Sequence, residues 1–420
     1  MTAVSGFGQP LTRHQQQPVR QCDQQAVRMN DDIKMEPLSS LDTSVFEQVI
    51  DHGPIEDRLE LARQLCALVN AQDTPLADVR AVMPCLSRLA CDRDRDVREI
   101  LARELAANAA LGADVVFSIV ADDDDLALPF VKASPSFNCQ VQCAVLQVGD
   151  QPRCSAVAGR ADISPAAVRR IVNDGQAETV IALLNNEHVR LGAGYCRKLY
   201  NRFHDQPKVC AVLMEVAYLP PEIALVHNQR TADELRRNAK LQGWVADFRS
   251  DDYISDNEEL TALRILDGVE DGKLQSLVAL MSTRGMLTTS LLLRAGIQGK
   301  MPFFELALAY LANMSLRRVR LATAKSSERM ANVILRRAGI PEDTHAVFRA
   351  ICMLASATGA AGKTADADAF GRALVELTLT RTAAQDPEER QRAVQLLSEL
   401  SQGRTRTLVL RLSEDYARVA

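Results

Sequence analysis

Short apolar stripes at three-and-four-residue spacing recur from about Leu41 almost to the end of the chain, and each of them is one-sided. Residues spaced this way share one face of a helix. Val97, Ile100, Leu101 and Leu105 make one such face. Phe304, Ala307, Leu308 and Leu311 make another, and Met330, Val333 and Ile334 a third. A short helix with a single apolar face is marginal in water, so a neighbouring helix must cover it. That requirement selects an all-α fold, a HEAT-like α-solenoid of stacked helical pairs in two helical halves. Hydrophobic residues make up 47% of the chain and aromatics only 4%, so alanine, leucine and valine carry the burial through close helix–helix contact.

The punctuation supports this reading. Glu60 to Val69 and Val82 to Ala90 read as successive helices, and the acidic start of Asp92 to Arg98 suits the positive N-terminus of a third. An apolar pair, one small or polar residue and an Asp recur at helix ends. The repeat reads Leu89-Ala90-Cys91-Asp92, Ile119-Val120-Ala121-Asp122, more loosely Gln147-Val148-Gly149-Asp150, and Ile171-Val172-Asn173-Asp174. Each interval is room for two short helices and their turns. Ser164-Pro165 and Asp386-Pro387-Glu388-Glu389 are helix starts. Gly112, Gly175, Gly285, Gly299 and Gly339 fall where helices should stop. Arg404 to Leu412 is the one stretch that also fits a strand.

The expected organisation has four parts. Residues 1–40, with Gln15, Gln16, Gln17, Gln24, Gln25, Pro10 and Pro18, form a low-complexity tail, disordered or preceding a true start at Met29 or Met35. Residues 41–206 carry the N-terminal repeats. Residues 207–356 are a second helical region, opened by Pro207 and interrupted by an acidic connection at 249–272. Residues 357–420 hold a small-residue loop and a helical pair. No apolar run reaches the roughly 18 residues of a membrane span, and no apolar segment follows the start, so the expected location is cytoplasmic. A net charge of −5 gives no global attraction to nucleic acid or anionic membranes. The 10 cysteines lie mostly within apolar helical patterns, with no Cys-x-x-Cys pair, and read as small buried hydrophobes.

Asp94 to Leu105, with Val97-Arg98 followed by Ala102 and Leu105, is similar to the general HEAT-repeat signature. Pro129-Phe130-Val131 with Ser134-Pro135, then Ala156 to Ser164, resemble the bacterial family catalogued as domain of unknown function 2336. Leu287 to Ala295, Phe303-Phe304-Glu305 and Arg336 to Pro341 resemble its later part. The likeness covers roughly residues 80 to 355. It implies a HEAT-like helical fold in an alphaproteobacterial type of cytoplasm. It implies no activity, and no role for Cys91 or Cys154, which sit within similar blocks.

Candidate chemistry is sparse. Ala357-Thr358-Gly359-Ala360-Ala361-Gly362-Lys363-Thr364 satisfies a relaxed phosphate-loop pattern, but Val347 to Ala355 before it read as helix, where a phosphate loop needs a strand. Gly192-Ala193-Gly194 is a turn. Cys139 and Cys143, with Cys154 nearby, lack the four ligands of a structural zinc, and His188 and His204 are distant. The carboxylates of Asp122 to Asp125 read as a solvated cap. No catalytic residue, cofactor or metal site is assigned.

One basic cluster stands out on this acidic chain: Arg317, Arg318, Arg320, Lys325, Arg329, Arg336 and Arg337 against Glu328. It is the candidate partner-binding surface; the simpler account is a solvated face pairing with the acidic 249–272 segment. The expected function is a non-catalytic protein-interaction or regulatory scaffold with another protein as partner. Two alternatives stand beside it. One is a HEAT-like DNA-binding or DNA-repair enzyme built around Trp244 and Asp247, with Arg236, Arg237 and Lys240 upstream. The other is a small-ligand-sensing signalling domain with a pocket between its halves.

Overall fold

The computed structural model describes residues 43–242, 247–324, 328–357, 367–382, 387–401, 407 and 409–410. The fold is all-α, and no strand occurs among the described residues. By its contacts the chain divides into two units between residues 145 and 146.

The first unit contains α1 (Thr43–His52), α2 (Ile55–Asn70), α3 (Leu76–Leu89), α4 (Arg95–Glu104), α5 (Ala113–Val120) and α6 (Asp124–Ala133); α7 (Cys139–Val148) carries the boundary. Helices two apart lie side by side: α2 packs on α4 and α4 on α6, while α1 packs on α3 and α3 on α5. The apolar stripes dictate this alternation. Val97 and Leu101 of α4 are fully buried, as are Leu65 of α2 and Leu86 and Leu89 of α3. Each buried leucine contributes about 1.5–3 kcal/mol relative to exposure.

The second unit begins in the same manner. Its α10 (Ala177–Leu184) packs between α8 (Gln151–Ala158) and α12 (Pro207–Glu215), and α9 (Pro165–Asp174) packs on α11 (Ala193–Phe203). Val172, Val180, Leu183, Leu199 and Leu213 fill that core. Two longer helices follow, α13 (Pro221–Gln242) and α14 (Asp247–Ile265), packed along each other. Next come α15 (Asp271–Thr283), α16 (Thr289–Ile297), α17 (Met301–Leu311), α18 (Leu316–Ala324) and α19 (Glu328–Arg337). After a short 3-10 turn, α20 (His345–Ala357), α21 (Ala367–Thr382) and α22 (Pro387–Leu400) complete it. The buried α20 touches α16, α18, α19, α21 and α22, and its Phe348 stacks on Phe304 of α17 at 5.8 Å between ring centroids.

Caps mark several helix boundaries. The Ser164 hydroxyl accepts from the Ala167 amide at 3.2 Å, and Thr288 accepts from Leu291 at 2.9 Å. Gly285, Gly299 and Gly339 close α15, α16 and α19 with positive φ near 70°, the region that favours glycine. After Gly285 the Met286 amide donates back to the Met281 carbonyl at 2.8 Å, which satisfies an orphan acceptor of α15. Gly112 differs from expectation: it precedes α5 rather than closing a helix.

Other expectations shift in detail. The acidic stretch 249–272, read as a connection, contributes a helix of its own, α14. Its acids are compatible with helix because cations from neighbouring elements neutralise them, which a local reading does not register. Of Arg404 to Leu412, residues 407, 409 and 410 are described, and they are helical. Residues 1–42, with Met29 and Met35, and residues 358–364 of the phosphate-loop-like segment lie outside the described residues, as do Trp244 and Asp386.

The repeated Asp finds a physical role in the first unit. Arg58, on α2, is 1% exposed. Its Nε donates to the Asp92 carboxylate at 2.9 Å, it also donates to Asp94, and its Nη1 reaches the Gly53 carbonyl at 2.7 Å. Arg98, on α4, then donates to the Asp122 carboxylate at 2.7 Å and to the Asp92 carbonyl at 2.9 Å. An arginine of one pair thus grips the Asp that ends the first helix of the next. The motif changes meaning further on. Asp150 caps α8 and accepts from Arg153 at 2.7 Å, and Asp174 is exposed at the end of α9.

Two consequences are measurable. Asp92→Ala leaves the buried Arg58 guanidinium short of its main counter-charge and lowers unfolding free energy by about 3–5 kcal/mol in urea titration, whereas Asp174→Ala stays within about 0.5 kcal/mol. Equal losses would contradict the clasp. Gly285→Ala, which meets no neighbouring atom but keeps φ near +70°, costs about 1–2 kcal/mol by thermal melting.

Candidate functional site

The basic cluster of the sequence falls on two helices of the second unit. Arg317, Arg318 and Arg320 lie on α18, and Arg329, Arg336 and Arg337 on α19; Lys325 is outside the described residues. Arg320 is exposed but anchored: its Nε donates to Glu305 at 3.0 Å, and that buried carboxylate also accepts from the Thr323 hydroxyl at 3.2 Å. Arg336 meets Glu342 at 3.2 Å, but both are exposed, and such a pair is worth little. Arg317, Arg318, Arg329 and Arg337 are exposed and make no ion pair among the described residues. The acidic segment that was to neutralise this face is engaged elsewhere. Arg294 holds Glu259 at 2.9 Å and also Asp256; Arg236 holds Glu258 at 2.6 Å; Lys300 holds Asp267.

A second basic feature is concave. A cavity of about 840 Å³ opens between α11, α13 and the end of α15, lined by Tyr200, His204, Arg230, Arg236, Arg237 and Arg284 among others. Arg230, Arg236 and Arg237 share α13; the first and last are seven residues apart and so on one face. Arg230 pairs with Asp205 and with Glu234 at 3.2 Å. Arg236 pairs with Asp233 at 3.0 Å and with Glu258. Arg237 and Arg284 are exposed and have no carboxylate partner among the described residues. Gln229 holds the end of α15 by donating to the Arg284 carbonyl at 3.0 Å.

The wall beneath carries buried polar groups. Tyr200 is 7% exposed, and its hydroxyl is buried without a hydrogen-bond partner among the described residues. The His227 ring meets it edge-on at 5.8 Å, with Nδ1 also buried and without a partner among those residues. Burial pushes the Tyr200 hydroxyl up from its usual range and holds the His227 imidazole below its ordinary value. Burial likewise raises the Glu258 carboxyl, against the pull of Arg236.

Arg236 and Arg237 had been singled out in the sequence, as part of a DNA-repair alternative centred on Trp244; the Asp247 side chain also lies outside the described residues. Tyr200, Arg230 and Arg284 had not, and His204 had been weighed only as a metal ligand. Arg230 was legible from its helical spacing to Arg237. Arg284 gave no local signal, because chain topology alone brings it to Tyr200.

The remaining candidates resolve into structural roles. Of the carboxylate run, Asp122 takes Arg98 and Asp125 takes Arg95 at 2.5 Å, while Asp123 precedes α6 as its cap residue. Gly192 caps α11. Cys66, Cys85, Cys154, Cys196, Cys210 and Cys352 are buried, and burial pushes the Cys66 and Cys352 thiols up to about 12, away from thiolate chemistry. Cys91 is exposed, Cys139 and Cys143 are half-buried, and Cys22 is outside the described residues. Among the described residues no group of three or more His, Cys, Asp or Glu is placed to hold a metal ion. None of their helices is long and apolar enough to cross a membrane.

The family-like blocks sit on buried clasps rather than at the cleft. Arg160, between α8 and α9, binds Asp162 through two donors at 2.8 and 2.9 Å, and Asn186 donates to the Arg160 carbonyl at 2.7 Å. Leu287 to Ala295 contains Thr288, Ser290 and Arg294, all of which donate to Glu259.

Fold and side chains together define an all-α protein whose turns are locked by buried arginine–carboxylate clasps. The family model of an uncharacterised protein conserved in bacteria, DUF2336, matches residues 126–388, and the chain belongs to that family. The match begins after the HEAT-like block at Asp94 to Leu105 and extends past residue 355. No curated protein and no solved structure matches the chain.

The buried imidazole makes a pH test specific. His227 is held below its usual value of 6.5, so the unfolded chain takes up a proton that the folded one refuses. Its contribution is complete above the unfolded value and is lost as pH falls below it. Between pH 7 and about 5.5 the wild type therefore loses more thermal stability than His227→Gln. Parallel pH profiles would contradict the assignment.

Proposed function

We propose that this protein is a non-catalytic, cytoplasmic interaction or regulatory scaffold whose helical pairs stack in the HEAT-like manner and present helix faces to a protein partner. The observation that carries the reading is the alternating packing in each unit, α2 on α4 on α6 and α8 on α10 on α12, which leaves successive helix faces available side by side. The exposed arginines of α18 and α19 supply the recognition surface, and an acidic face on the partner is its complement. Arg320, anchored to buried Glu305, fixes one end of that surface.

Affinity purification of the full chain beside an Arg317→Glu/Arg318→Glu/Arg337→Glu variant tests it. A partner retained by the wild type and lost by the variant, with circular dichroism unchanged, is the expected result. Identical recovery by both would remove these arginines from the interface. Tight, salt-sensitive retention of duplex DNA would favour the nucleic-acid alternative instead.

A further inference from the structure

We propose that the arginine-lined cleft between α11, α13 and the end of α15 is a binding site for a small, multiply charged phosphoryl compound. This inference stands apart from the scaffold reading: it concerns a different face and a different class of ligand.

Four observations converge on it. First, the cavity of about 840 Å³ is of small-ligand size. Second, the four arginines and the four carboxylates around them balance in number, but the pairing is uneven. Asp205, Glu234, Asp233 and Glu258 compensate Arg230 and Arg236 and hold their guanidiniums in place. Arg237 and Arg284 line the same space with no carboxylate of their own among the described residues. Third, two uncompensated guanidiniums match a phosphoryl group, which carries close to two negative charges at neutral pH and several acceptor oxygens; a monocarboxylate would leave one cation unmatched. Fourth, the wall holds a buried tyrosine hydroxyl with no partner among the described residues, a group whose desolvation a bound ligand or its waters would offset.

The geometry also separates this cleft from a macromolecular groove. Its two cations without a carboxylate partner among the described residues, Arg237 of α13 and Arg284 at the end of α15, both line this one cavity rather than a track along a helix. Beyond the cations, the Tyr200 and His204 rings leave room for an organic moiety attached to the phosphoryl group.

Isothermal titration and thermal-shift assays on the full chain, with inorganic phosphate, pyrophosphate and ADP as separate probes, test the site. Saturable binding of at least one probe is expected, with a raised melting temperature. Pyrophosphate binding as tight as ADP binding would identify a free inorganic anion, and tighter ADP binding a nucleotide. Arg237→Gln and Arg284→Gln break no ion pair, so both should fold, and each is expected to weaken binding about tenfold. Arg190→Gln, an exposed arginine outside the cleft, should leave it unchanged. The proposal fails if no probe saturates at millimolar concentration, if the Arg237→Gln/Arg284→Gln double variant binds as the wild type does, or if duplex DNA binds while all three probes are inert.

Discussion

The one-sidedness of short helices governs this molecule. Helices such as Ala113–Val120 and Ala177–Leu184 are only 8 residues long, too short to persist alone in water. Each has one face that is stable only when covered, and the chain meets that demand by placing the helix two further on beside it. Aromatics are too few to build a core from large rings. Small and branched side chains instead allow close helix approach, as where Gly296 faces Ile351 so tightly that a Cβ would lie 2.5 Å from that side chain.

Burial of apolar faces does not by itself choose a register, and the polar groups of the interior supply that choice. Arg58, Arg160 and Arg294 are each 3% exposed or less; the first two are held by carboxylates at turns, and Arg294 by carboxylates within α14. Such pairs contribute little net stability against an apolar alternative, but a misplaced helix would strand a charge in the core. They penalise wrong arrangements more than they reward the right one. That distinction explains why the blocks resembling the family fall on clasps and turns.

Much of the fold was legible from residue order. The stripe Val97, Ile100, Leu101, Leu105 is buried as read, Ser164-Pro165 opens a helix, and glycines at 285, 299 and 339 close them. These signals are local: spacing, capping and backbone conformation are properties of a few adjacent residues. The acidic helix α14 was misread as a connection because its charges are neutralised by Arg294 and Arg236, which are remote in sequence or hidden among other cations. The cleft was half legible for the same reason. Arg236 and Arg237 announce themselves as neighbours, while Tyr200 and Arg284 join them only through the packing of α11, α13 and α15. Which arginines lack a counter-charge is a three-dimensional count that composition does not hold.

The grips of Arg58 and Arg98 in the first unit point the same way along the chain. Arg58 is neutralised by residues that follow α3, and Arg98 by one that follows α5. In these two grips an earlier pair owes its electrical neutrality to a later one, while the solvent-exposed pair of Arg88 with Asp51 runs the other way. During synthesis α2 would emerge carrying a cation whose counter-charge has yet to be made, so its final seating must wait for Asp92. Erosion of the array has the matching asymmetry: loss of the leading helices exposes a carboxylate to water at little cost, whereas loss of a trailing pair abandons a guanidinium inside.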